Sequence, residues 1–260
     1  MTPPSDTTNS DPQPTQHRTL NYYHASPLFT LAELHTNTLL AAEIRHASHG
    51  RYNAVLPQNL EQRDTSPHAI RDADIKALLA CDLALFTYDG TEVDSGTVVE
   101  YMLAKFGDVP AVILRTDFRG AGDQGGSGDA WNLMSSFWPR TRGVVVSAMG
   151  LYKDGLAAAA VGEGRDDGMV SGTGENVVDL QAGASRSTLR SGELMVNSVA
   201  EAVVKAMDAV VSMPARLPKE LRESVYEWLA LMPGFKDGGD AENVAAMMQL
   251  LARKERKGLF

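Results

Sequence analysis

Five short apolar runs, separated by segments of helical spacing, constrain the fold of this chain more than any other feature. They cover Leu20–Ala25, 52–57, 83–88, 109–117 and 143–147, are rich in Tyr, Val, Leu, Ile and Phe, and are mostly closed by Pro, Gly, Ser or Asp. Such lengths and compositions predict buried strands. Between them, Leu31, Leu34, Thr38, Ala41 and Ile44 recur at helical intervals before Gly50, and 68–80, 97–104 and 193–211 show the same periodicity. Strands that alternate with helices imply a parallel sheet covered on both faces.

The 260 residues divide unevenly around that core. Residues 1–18 are Pro, Ser, Thr, Asp and Gln with almost nothing apolar, which predicts a disordered leader. The α/β domain is expected over 19–212, with a Gly- and Ala-rich mobile insertion at 150–190. A helical extension over 213–260 follows, its helices at 219–232 and 241–257. In the first, Val225, Trp228 and Leu229 mark the apolar side; in the second, Val244, Met247, Met248 and Leu251 do. These faces must be buried on the main domain or on another subunit.

A net charge of −9 disfavours nucleic-acid polymers and anionic membranes as partners. No apolar run approaches the length of a membrane span, and the start of the sequence lacks a basic-then-apolar signal, so a cytoplasmic protein is expected. The single cysteine, Cys81, is expected in the core.

The chemistry concentrates after the third strand, where an acidic glycine loop runs into a helix: Asp94-Ser95-Gly96-Thr97-Val98-Val99-Glu100. Strand, loop, helix is how an open α/β sheet presents a ligand site. Asp94 and Glu100 can converge there as paired carboxylates, and Thr97-x-x-Glu100 also fits a capping box that merely starts a helix. On the preceding helix, Asp72 precedes Lys76 by four residues and is expected to face water. Asp74 shares its face with Ile70 and Leu78 and is expected to face the protein, where a carboxylate is costly unless used. Gln58, at a strand end, reads as a loop residue or as an amide that recognises a planar ligand. Asp117 and Arg119 are expected to pair. Metal-ligand spacing, a Gly-x-Ser-x-Gly elbow, a dinucleotide fingerprint and a P-loop are all absent from the sequence.

The ordered set Tyr23-x-Ala25-x-Pro27-Leu28-Phe29, Leu56-Pro57-Gln58, Asp74 and Asp82, Asp94-x-Gly96-x-x-x-Glu100, Thr116-Asp117-x-Arg119 and Asn132-Leu133-Met134 resembles the nucleoside 2-deoxyribosyltransferase family. The resemblance covers about 20–147 and the helix near 193–211. It implies a flavodoxin-like five-stranded parallel sheet, no cofactor, and transfer of 2-deoxyribose between bases with retention. Nucleosides and free nucleobases are the implied partners. By the same resemblance Glu100 is the nucleophile, its ionised form favoured by the helix N-terminus, and Tyr23 orients it. Asp94 and Asp74 lie beside base and sugar, one of them supplying a proton. Gln58, Phe29, Gly96, Asn132 and Met134 bind substrate, Asn132 in a neighbouring subunit's site, which implies a homo-oligomer. The chain runs past the family's usual end, and the 150–190 insertion has no counterpart in it.

Overall fold

Alternation along β1 (Leu20–Ala25) sets the two layers of the molecule. Successive side chains of a strand point to opposite faces. Tyr22 accordingly packs with Leu40 and Ile44 of α1 (Leu31–Ala47) and Val203 and Met207 of α5 (Arg186–Val211), while Tyr23 and Ala25 pack with Leu78 of α2 (Pro67–Ala80) and Tyr101 and Ala104 of α3 (Ser95–Phe106). The computed structural model describes residues 18–60, 66–120, 122–123, 128–163, 186–232, 235 and 240–260. The expected leader, all but Arg18, lies outside them, as does 164–185 of the expected insertion.

β2 (Tyr52–Val55), β3 (Leu83–Thr87), β4 (Ala111–Arg115) and β5 (Thr141–Val145) complete a sheet of order β2-β1-β3-β4-β5, every pair parallel. This is the flavodoxin-like order, whose switch point lies between β1 and β3. The last strand enters the ladder two residues before the expected start, with Thr141 opposite Ala111. It is a half-exposed edge strand, so its first residues carry no apolar signal.

The expectation of a structureless insertion is overturned where the chain is described: 148–163 is a helix, α4 (Ala148–Glu163). Gly155, which reads as a loop marker in the sequence, is instead a contact residue. A Cβ there would meet the Ser191 carbonyl oxygen at 3.0 Å and its Cα at 3.1 Å, so the glycine lets α4 lie against α5.

The extension buries its apolar faces on the main domain. Tyr226 and Leu229 of α6 (Arg222–Ala230) and Met247 and Leu251 of α7 (Asp240–Arg256) enclose Leu79 of α2 and Phe235. Trp228, expected on the apolar side, is exposed; 226, 229 and 230 form the buried face by helical spacing. Polar groups fasten this layer beneath the amino ends of the strands. Lys254 Nζ donates to the Cys81 carbonyl (2.7 Å), Tyr226 donates to the Gly107 carbonyl (3.1 Å), and Asp108 accepts from the Arg216 and Leu217 amides. Cys81 is buried as expected. Among the described residues, no helix is long and apolar enough to cross a membrane.

Candidate active site

At the switch point, the hydroxyl of Tyr23 donates to Glu100 Oε1 at 2.7 Å. Tyr23 is completely buried at the centre of the sheet, and Glu100 reaches it from α3. Where α3 begins decides what Glu100 does. Asp94 is the N-cap: its Oδ2 accepts from the Thr97 amide (2.8 Å) and hydroxyl (2.9 Å). The capping-box alternative for Thr97 and Glu100 is thereby excluded, since the helix starts earlier and Glu100 sits a turn beyond the cap. Gly96 leaves room for that cap, because a Cβ there would lie 3.1 Å from Asp94 Oδ2.

Burial pushes the Glu100 carboxyl up to about 7; the Tyr23 hydrogen bond opposes the rise, and the charges of Asp74 and Asp94 add to it. Burial thus acts against the ionised form that the helix N-terminus favours. The dipole acts mainly within the first turn, which Asp94 and Thr97 occupy, and desolvation dominates further in. The Tyr23 phenol is raised well above its usual range by burial and by Glu100, so it remains a donor.

Asp74 projects from α2 toward the same space. Its Oδ1 is buried without a hydrogen-bond partner, and burial raises the carboxyl to about 6. A cavity of about 450 Å³ lies between α2 and α3, with Asp74, Gly96 and Glu100 on its walls. Ile70, Val99 and Leu103 supply apolar surface and Ser95 and Arg71 polar groups. These five were not singled out in the sequence. The signal was there for three of them, because 99 and 103 are one helical turn apart beside 96 and 100, as are 70 and 74 on α2.

Not every residue singled out in the sequence is brought to this cavity. The Gln58 amide is engaged by α1: Nε2 donates to the Leu34 carbonyl (3.0 Å) and the Thr38 hydroxyl (3.0 Å), and Oε1 accepts from Asn37 Nδ2 (3.2 Å). Phe29 is 77% exposed ahead of α1. Asn132 caps a 3-10 turn over Leu133–Ser135, accepting from the Met134 amide and donating to Asp123, and the Met134 side chain is 76% exposed. Asp117 pairs with Arg119 as expected, and with Arg115 as well.

Asp72 contradicts its expected exposure. Only 3% accessible, it pairs with Arg71 at 2.9 Å rather than with Lys76. It shares a helix face with Ile75 and Leu79, the face on which the C-terminal extension packs. A single-sided helix was assumed, and α2 is covered on two sides. Among the described residues, no three His, Cys, Asp or Glu side chains gather as a metal site.

A family model described as nucleoside 2-deoxyribosyltransferase matches residues 22–156, just over half of the chain. Among solved structures, the crystal structure of a conserved protein from Enterococcus faecalis V583 aligns at 27% identity, covering 49% of this chain and 91% of that one, with a TM-score of 0.42. No curated protein matches the chain.

Proposed function

Because the chain belongs to the nucleoside 2-deoxyribosyltransferase family, we propose that it transfers a 2-deoxyribosyl group between purine and pyrimidine bases, with Glu100 as the nucleophile. The observation that carries this reading is the 2.7 Å bond from buried Tyr23 to Glu100 beside a cavity that also holds Asp74. Glu100, as the anion, attacks C1′ of the bound nucleoside. The C1′–N bond breaks with its electron pair passing to the base, and a covalent deoxyribosyl ester forms. A second base then attacks C1′ from the vacated side, its N–H proton passing to the carboxylate that protonated the first base, which returns the Glu100 carboxylate and retains configuration.

The departing base needs a proton, and the two nearby aspartates differ in readiness to give one. Asp94 Oδ2 is committed to Thr97. Asp74 has an unpartnered buried oxygen and a carboxyl raised to about 6, which keeps part of it protonated near neutrality. Asp74 is therefore the proton donor in this reading, and Asp94 holds the helix start. The exposed turn with Asn132 and Met134 is assigned to a neighbouring subunit's site in a homo-oligomer, on the family resemblance and its exposure. Gln58 reaches a base only by leaving its bonds to α1.

Incubation of the protein with thymidine and free adenine tests the reaction. Deoxyadenosine is the expected product; free deoxyribose alone would show that water resolves the ester, making the protein an N-glycosidase. Glu100→Gln is expected to lower turnover by at least about a thousandfold, as loss of a covalent nucleophile does, with an unchanged circular dichroism spectrum. Near wild-type rates in that variant would remove the mechanism.

A further inference from the structure

A second cavity, of about 560 Å³, opens between α2 and α7 and is walled in a way the proposed reaction does not use. Lys76 enters from α2, and Arg253 and Arg256 enter from α7, three residues apart on one helix face. Among the described residues no acidic side chain lines it, and neither Lys76 nor Arg256 makes an ion pair. Arg253 spends one Nη2 contact on the Ala80 carbonyl (2.6 Å), which orients its guanidinium at the rim. Beneath the cations, Phe235, Met247 and Leu250 form an apolar floor, and the Lys76 ammonium is held 5.6 Å from the centroid of the Phe235 ring.

Three cations with no counter-charge among the described residues repel one another, and in a chain of net charge −9 such a group is not a sample of the average surface. A tetrahedral oxyanion is the counter-charge such a group selects, since guanidinium and ammonium groups are the side chains that take phosphate oxygens most strongly. The apolar floor adds a place for an organic body, and the volume suits a small molecule. We propose that this cavity binds a small organic phosphate, its phosphate held by Lys76, Arg253 and Arg256 and its apolar portion resting on Met247 and Leu250. The site lies between α2, inside the region of family match, and the C-terminal extension, outside it, and does not depend on the role of Glu100.

Calorimetric titration of the full chain with adenosine 5′-monophosphate and with inorganic pyrophosphate provides the test. Both are expected to bind and to compete. The double variant Lys76→Gln, Arg256→Gln should weaken both by roughly tenfold or more, the loss expected from two charge-assisted contacts. Its melting temperature and its activity without added phosphate should stay near wild type, because neither side chain carries an ion pair. Glu100→Gln should bind both as the wild type does. Unchanged affinity in the double variant, or loss of binding in Glu100→Gln, would place the anion elsewhere and overturn the proposal. Binding of pyrophosphate without adenosine 5′-monophosphate would remove the organic ligand, and no heat with either at millimolar concentration would remove the site.

Discussion

A hydroxyl that donates to a buried carboxylate both fixes its direction and stabilises its charged form. Tyr23 does this for Glu100, whose carboxyl burial has raised to about 7. The proposed reaction needs Glu100 as the anion and Asp74, raised to about 6, still protonated, so kcat/KM should pass through a maximum between about 6 and 7 and fall on either side. Removing the donor in Tyr23→Phe takes away the hydrogen bond that lowers the Glu100 pKa, so the acid limb of kcat/KM should move to higher pH. At pH 7 the variant should be slower by about ten- to a hundredfold, and its rate relative to the wild type should recover partly at higher pH; an equal loss at every pH would show that Tyr23 acts by shape alone. Tyr23 came from the family resemblance, whereas in the sequence Asp74 was legible because it places a carboxylate on an apolar helix face, and Glu100 because it follows an acidic glycine loop. The bonds of Gln58 to Leu34 and Asn37 were not, because they join residues whose approach only the packing of α1 on β2 determines.

On α2, two aspartates two residues apart have separate tasks, and the helix faces explain which is which. Asp74 borders the cavity with Glu100, whereas Asp72 lies with Ile75 and Leu79 on the face that meets the extension. Asp72→Ala should destabilise the fold by about 1–2 kcal/mol, less than for a fully buried pair because Arg71 is half exposed, with little change in rate per folded molecule. Asp74→Asn should leave the melting temperature close to wild type and slow transfer by roughly a hundredfold, the scale of a lost general acid. Chemical denaturation and steady-state rates on both variants separate these effects; a reversed pattern would mean that the roles are exchanged. The elements themselves were well marked in the sequence, since the strands and first helices follow period and punctuation. α4 was not, because Gly155 and its Ala-rich surroundings resemble a loop until α5 is laid against them.

The sheet carries its chemistry at one end and its fastening at the other. On one side, Tyr23 of β1 bonds Glu100 at the wall of the cavity between α2 and α3; beneath the amino ends, the extension is bound by side chains far apart in sequence. Lys254 is almost wholly buried and its ammonium is pushed down to about 8 by burial, a cost that its bond to the Cys81 carbonyl offsets. Lys257 joins Asp82, which in turn accepts from the Asn21 amide at the start of β1, and Arg140 donates to the Leu259 carbonyl. The sequence indicated a boundary near 213 from the prolines, but it carried no sign that the following helices share a core with α2. Each large apolar side chain in that shared cluster contributes about 1.5–3 kcal/mol on burial, and Tyr226, Leu229, Phe235, Met247 and Leu251 all lie in it. That sum is comparable to the whole stability of an ordinary domain, about 5–15 kcal/mol, so the extension cannot be an independent appendage. The full chain should melt in one cooperative transition, and a chain ending at residue 212 should lose that transition or aggregate, because Leu79 and the carbonyls of Ala80, Cys81 and Gly107 would be uncovered. Two resolved calorimetric transitions in the full chain, with the first 212 residues melting unchanged on their own, would show instead that the α/β domain stands without its lower layer.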